Sequence, residues 1–276
     1  MYHKPLVYRA PGMEAVEALR DVTYRSVQGT ELKMDIYLPP RLSADARLPV
    51  VFFIHGGFIP RETTFLPKDW GVYQSYGRLA AASGMIGVTF NHRYWGWSRE
   101  DMERSFGDVR AAIRFVRDRA DSFHADASRA ALWGFSGGGP HLGLAVQDGM
   151  EFVRCLVGFY AIFDLEPQVR SQSLDPEKEG TTEYSLMTHL SRSAGRFPPI
   201  FIGRAGLDAP AINTAVDAFA ARALELNVML DLANHPQGRH GFDILDDDLR
   251  SREIIARAID FLKARLLPSA SSPGAP

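Results

Sequence analysis

Gly134-Phe135-Ser136-Gly137-Gly138 is a G-x-S-x-G run set between an apolar stretch, 129–133, and a segment that can turn helical, 140–146. A strand, this motif and a helix in succession form the context that holds a serine on a tight turn with its hydroxyl above a sheet. The turn leaves no room for side chains at the flanking positions, so glycine fills them, and the serine adopts a strained backbone. Ser136 is therefore a candidate nucleophile. The same five residues also suit a plain glycine-rich turn or a phosphate-binding loop, so the reading depends on what accompanies them.

Three features accompany them. Upstream, the apolar run 49–54 has the character of a strand buried on both faces and leads into His55-Gly56-Gly57-Phe58. Downstream, the run 198–203 reads as a second buried strand and ends in Arg204-Ala205-Gly206-Leu207-Asp208. Asp208 thus sits where ligands gather in open α/β sheets, although an aspartate before a helical run also serves as an N-cap. Finally Gln237-Gly238-Arg239-His240-Gly241-Phe242 offers His240 as a candidate base. The order Ser, Asp, His separates this arrangement from the chymotrypsin and subtilisin orders. Asp164 rivals Asp208 as the acid, and His235 rivals His240.

In this combination the chain resembles the α/β-hydrolase esterase/lipase family. It is most similar to the hormone-sensitive-lipase-like and feruloyl-esterase-like carboxylesterases. The likeness rests on His55-Gly56-Gly57, the 134–138 elbow, Asp208, His240-Gly241-Phe242, the opening hairpin 22–39 and Asn91-His92-Arg93-Tyr94, and runs from about residue 21 to 267. It implies the α/β-hydrolase fold: a mostly parallel eight-stranded sheet, helices on both faces and a loop/helix lid above the C-terminal edge. It also implies a nucleophile at Ser136, a base at His240 and, from the spacing of Gly206-Leu207-Asp208, an acid at Asp208, while some hydrolases place the acid after the sixth strand, as Asp164 would be. The oxyanion donors would be the N–H groups of Gly137 and of Gly57 or Phe58, with no cofactor and no metal. Two positions depart from the pattern: Phe58 replaces a third glycine, and His92 stands where tyrosine is usual.

The chain has 276 residues, 46% of them hydrophobic, and a net charge of -2. That length and composition suit one α/β domain, here taken as 1–267, with a Pro/Ser/Ala/Gly tail, 268–276, expected to be disordered. The charge gives no argument for nucleic acid or an acidic membrane. The sole cysteine, Cys155, excludes an internal disulfide and reads as a buried thiol. The first thirteen residues lack an apolar leader and no run is long enough to span a bilayer, which predicts a cytoplasmic protein. A homodimer is compatible with the sequence.

Strands are expected at 50–54, 86–90, 130–135, 155–160, 200–203 and 228–232, after an antiparallel hairpin over 22–38. Helices are expected near 73–83, 102–123 and 211–226 and along the apolar stripe Ile254, Ile255, Ala258, Phe261 and Leu262. Two polar or aromatic stretches, 58–72 and 166–196, are expected to roof a pocket above Ser136. Phe58, Trp70, Trp95 and Trp97 are its candidate substrate-binding residues. Asp108 reads as structural, and Asp243 as a helix cap together with 246–248. His3, His124, His141, His189 and His235 show no metal-ligand spacing. The reaction expected is hydrolysis of a small carboxylic ester through an acyl-enzyme. An amidase, arylformamidase or small-peptide hydrolase is the alternative, and a non-catalytic receptor on the same fold a further one, disfavoured because no triad member is missing.

Overall fold

The computed structural model describes residues 2–60 and 62–267; the tail expected at 268–276 lies outside the described residues. Its strands are β1 (Glu17–Val27), β2 (Thr30–Leu38), β3 (Leu48–Ile54), β4 (Ile86–Phe90), β5 (Ala125–Phe135), β6 (Val153–Phe159), β7 (Ile200–Ala205) and β8 (Leu230–His235). They form an eight-stranded sheet in the order β1-β2-β4-β3-β5-β6-β7-β8. β1 and β2 pair antiparallel, as do β2 and β4, and the ladder from β4 to β8 is parallel. The helices are α1 (Gly71–Ala82), α2 (Arg99–Asp118), α3 (Leu144–Gln147), α4 (Glu166–Ser171), α5 (Thr181–Tyr184), α6 (Leu186–Ser193), α7 (Pro210–Glu225), α8 (Phe242–Leu245) and α9 (Leu249–Leu266).

The apolar runs form strands because both of their faces are covered. In β3, Val51 and Phe53 join a core layer with α1 and α9, and Val50, Phe52 and Ile54 join the layer that holds α2 and α7. Ser98 caps α2 by accepting the Asp101 N–H at 3.2 Å, and Asp248 caps α9 by accepting the Ser251 N–H at 2.7 Å; caps of this kind contribute about 1 kcal/mol each. Asp108 is structural: it is buried on α2 and holds Arg25 and Arg93 at 2.8 Å each. Cys155 is buried in β6, and burial pushes its thiol up to about 12, so it stays protonated.

Three local expectations shift. The helix expected over 102–123 ends at Asp118; a 3-10 turn, Ala120–Phe123, follows, and His124 is left-handed with φ 55°. The last strand begins at Leu230, because the Val228 N–H closes the turn after α7 on the Ala223 carbonyl at 2.9 Å. This strand lies at the sheet edge and exposes Asp231 and Leu232, which weakens its apolar signature. Asp243 is no cap. It is wholly buried and accepts hydrogen bonds at 2.8 Å from the hydroxyls of Tyr76 on α1 and Tyr160 at the end of β6.

Beneath the His55-Gly56-Gly57 loop lie three buried imidazoles. His55 stacks on His92 with ring centroids 3.7 Å apart, and His141 meets His92 edge-on at 5.1 Å. Neither ring nitrogen of His92 has a partner among the described residues. Burial drives His55 down to about 4 and His141 to about 3, and carries His92 well below its ordinary value. Burial also raises Asp243, to about 6.

These groups oppose one another in the acid range. Each histidine binds its proton more readily in the unfolded chain, so acidification through pH 6.5 towards 4 destabilises the fold. Asp243 binds its proton more readily in the native state, so over about pH 4 to 6 it favours the fold as pH falls. One shift of two to three pH units is worth roughly 3 to 4 kcal/mol. Three histidines outweigh one aspartate, so stability should fall on acidification from pH 7 to 4. Urea midpoints across that range check this; a flat or rising midpoint towards pH 4 would contradict it.

Candidate active site

β5 runs into Ser136, and a 3-10 turn, Ser136–Gly143, leaves it. Ser136 has φ 49°, a conformation costly for any residue but glycine, and its carbonyl is held by the Ile162 N–H at 2.9 Å. Glycine is needed on either side of it. A Cβ at Gly134 would sit 2.8 Å from the Gly138 carbonyl oxygen, and one at Gly138 would sit 2.3 Å from that of Ile54.

Two neighbouring strands supply the partners. Asp208 lies in the loop between β7 and α7, and His240 in the loop between β8 and α8. His240 Nδ1 is 2.7 Å from Asp208 Oδ2, and His240 Nε2 is 2.9 Å from Ser136 Oγ. A carboxylate only accepts, so Nδ1 carries the proton and donates to Asp208. Nε2 is then left to accept from the Ser136 hydroxyl. The second oxygen of Asp208 accepts the Ala209 N–H at 2.7 Å, and the Asp208 side chain is only 3% exposed. The rivals are engaged elsewhere. Asp164 accepts the Glu166 N–H at 3.1 Å, and buried His235 lies 3.1 Å from Ser251 Oγ and 3.2 Å from Asp248.

The His55-Gly56-Gly57-Phe58 loop lies against the elbow. A Cβ at Gly137 would be 3.3 Å from Gly57 N, so the two residues adjoin. The Gly137 N–H opens the 3-10 turn, where intrahelical acceptors are missing, and among the described residues the Gly57 N–H has no backbone acceptor. Gly57 is left-handed, with φ 74°. The Phe58 ring packs edge-on to Tyr94 at 5.3 Å and to Trp97 at 5.1 Å.

A cavity of about 280 Å³ opens on Ser136 and His240. Phe58, Ile59, Trp70, Tyr73, Tyr160 and Ile244 line it, and Tyr2 closes one end with its ring 4.4 Å from that of Trp70. No carboxylate, lysine or arginine is among its described lining residues. Of the four candidate substrate-binding residues, Phe58 and Trp70 line this cavity; Trp95 and Trp97 do not. Trp97 is buried behind Phe58 and Tyr94, and Trp95 lies under the Arg104 guanidinium at 4.5 Å, because the chain after β4 turns into the cap of α2. No described residue of the stretch 166–196 lines the cavity either. Its short helices bury Val169, Tyr184, Leu186 and Leu190 in the core layer that holds α2 and α7. Residues 58–72 do supply lining residues, together with Tyr2, Tyr160 and Ile244, which sequence reasoning passed over. Tyr160 carried a usable signal, since it ends a parallel strand on the ligand side; Tyr2 carried none. No group of three or more His, Cys, Asp or Glu among the described residues could hold a metal ion, and none of their helices is long and apolar enough to cross a membrane.

Among solved structures, the chain is similar to Thermogutta terrifontis esterase 2 phosphonylated by cyclosarin, with a TM-score of 0.71 at 20% identity over 95% of this chain and 99% of that one. This likeness fixes the α/β-hydrolase fold. Among characterised sequences, the chain is 33% identical over 121 residues to a probable dipeptidyl-aminopeptidase B of Botryotinia fuckeliana, and that match covers 41% of this chain and 13% of the relative. It is 32% identical over 116 residues to carboxylesterase 1F of Mus musculus, covering 39% of this chain and 19% of the relative. The chain thus spans less than a fifth of the length of these relatives. The family model for BD-FAE matches residues 34–184, more than half of the chain and the part that carries the His55-Gly56-Gly57 loop and the Ser136 elbow, and the protein therefore belongs to the BD-FAE family.

Proposed function

We propose that the protein is a serine hydrolase of small, uncharged carboxylic esters. The observation that carries this reading is the hydrogen-bond chain Asp208–His240–Ser136, with distances of 2.7 and 2.9 Å, at the mouth of a cavity with no carboxylate, lysine or arginine among its described lining residues. Ser136 Oγ attacks the ester carbonyl while His240 Nε2 takes its proton. Asp208 holds the imidazole in the tautomer that can accept and offsets the charge it gains. The carbonyl oxygen becomes an oxyanion beside the N–H groups of Gly57 and Gly137. The C–O bond then breaks, and the alcohol leaves with the proton from Nε2. Water, deprotonated by the same nitrogen, releases the acid from Ser136. The carboxylesterase relative supports an ester; the aminopeptidase relative, matched at 33% identity over 41% of this chain, keeps amide hydrolysis as the second reading.

Ser136→Ala should fold normally and lose nearly all hydrolysis of nitrophenyl esters. Asp208→Asn should lower turnover by roughly 10⁴-fold, while Asp164→Asn changes it little. Steady-state kinetics of the three variants check this, and a large loss in Asp164→Asn with a mild one in Asp208→Asn would reassign the acid.

The two glycines of the oxyanion loop should respond differently. A Cβ at Gly56 would lie 2.4 Å from the Phe135 carbonyl oxygen and 2.7 Å from Ser136 Cβ, whereas one at Gly57 meets nothing within 4 Å. Gly56→Ala should force the loop off the elbow and abolish labelling of Ser136 by a fluorophosphonate. Gly57→Ala should keep labelling and lose about 1–2 kcal/mol of stability to its left-handed backbone. Labelling rates and thermal unfolding of both variants decide it; equal labelling of the two would refute the packing argument.

A further inference from the structure

We propose that Asp243 and Tyr160 form a positioning unit for His240, in which a buried second carboxylate acts on the imidazole through the tyrosine ring. The inference rests on the serine-hydrolase reading above and adds two residues to it.

Four observations converge. Tyr160 is the first residue after β6 and has φ 38°, a backbone strain rarely kept in an aromatic residue unless the surroundings enforce it. Its N–H is fixed on the Gly203 carbonyl at 2.8 Å. Its ring lines the cavity and lies tilted against the His240 ring, with centroids 4.8 Å apart. Its hydroxyl donates to Asp243 Oδ1 at 2.8 Å, so it is tied away from the reacting atoms.

Asp243 follows His240 by three residues and is wholly buried. The groups that face it are Tyr73 and Tyr76 from α1, Tyr160 from the end of β6, and His240 from its own loop. Two phenol hydrogen bonds are little compensation for burying a carboxylate, and His240 is the base that acts on it. Such a group is costly in the resting state. It becomes useful when His240 turns cationic, because a negative charge in a dry site stabilises that cation more than it would in water. Tyr160 transmits the constraint by clamping the imidazole face, and Tyr76 holds the other carboxylate oxygen so that the unit does not turn.

The test uses the full chain and a fluorophosphonate, which reacts with the activated serine and makes few demands on the substrate pocket. Asp243→Asn keeps the shape, since an amide can accept from one phenol and donate to the other. It should label about tenfold more slowly at pH 7.5, with kcat lowered in step and KM nearly unchanged. The wild-type labelling rate should include a rise between about pH 5 and 7 that Asp243→Asn lacks. Tyr160→Phe keeps the ring, removes only the tie to Asp243, and should lose several-fold in the same direction. If both variants, folded by circular dichroism, label at the wild-type rate with an unaltered pH profile, or lose only KM, the proposal is overturned. Failure of the wild type to label at Ser136 would instead remove the serine-hydrolase reading on which it rests.

Discussion

The site depends on one backbone angle. Ser136 holds φ 49° where β5 ends and the 3-10 turn begins, and everything around it keeps that turn from relaxing. The Ile162 N–H fixes its carbonyl, and the glycines beside it let the turn approach the Ile54 carbonyl at distances a Cβ would forbid. Strain of this kind costs on the order of 1–3 kcal/mol and persists only where packing over-determines it. Here the packing is a parallel sheet, covered on both faces, whose central strands end at one edge. Because β6, β7 and β8 follow β5 in spatial order, the loops after β7 and β8 bring Asp208 and His240 to the serine.

The same region concentrates buried polar groups. His55, His92 and His141 cluster where the 55–58 loop begins, and Asp243 is tied to Tyr160, whose ring packs on His240. Each is costly in a dry interior, and the ring nitrogens of His92 have no hydrogen-bond partner among the described residues to offset the cost. Buried carboxylates elsewhere are offset by arginines: Asp35 accepts from Arg20 at 2.7 Å, and Asp108 from Arg25 and Arg93 at 2.8 Å.

Much of this was legible in the sequence because its signals are local. The run 50–54 reads as a strand because a segment covered on both faces must be apolar throughout, and the 134–138 glycines are spaced as a tight turn requires. The family resemblance, through the spacing of Gly206-Leu207-Asp208 and the Gly-Phe after His240, then favoured Asp208 and His240, and in the fold His240 bonds to both Asp208 and Ser136. What escaped was set by contacts between distant residues. Tyr2 closes the cavity by stacking on Trp70, which no periodicity near residue 2 records. Asp243 has the character of a cap on a sequence line, yet two tyrosines from other elements draw it inward. Trp95 and Trp97 follow a strand on the ligand side, yet the cap of α2 turns them behind the wall. The polar stretch 166–196 hides a few apolar residues at helical spacing, which settle into the core, and none of its described residues lines the cavity.

The central claim is that the Asp208–His240–Ser136 chain makes Ser136 a nucleophile that carries the acyl group. Rapid-quench mixing with a nitrophenyl ester, followed by peptide mass spectrometry, tests it directly. The account predicts a burst of nitrophenol close to one equivalent per chain, with the acyl mass on the peptide that contains Ser136. Turnover without any acylated peptide, or an acyl group on another residue, would contradict it.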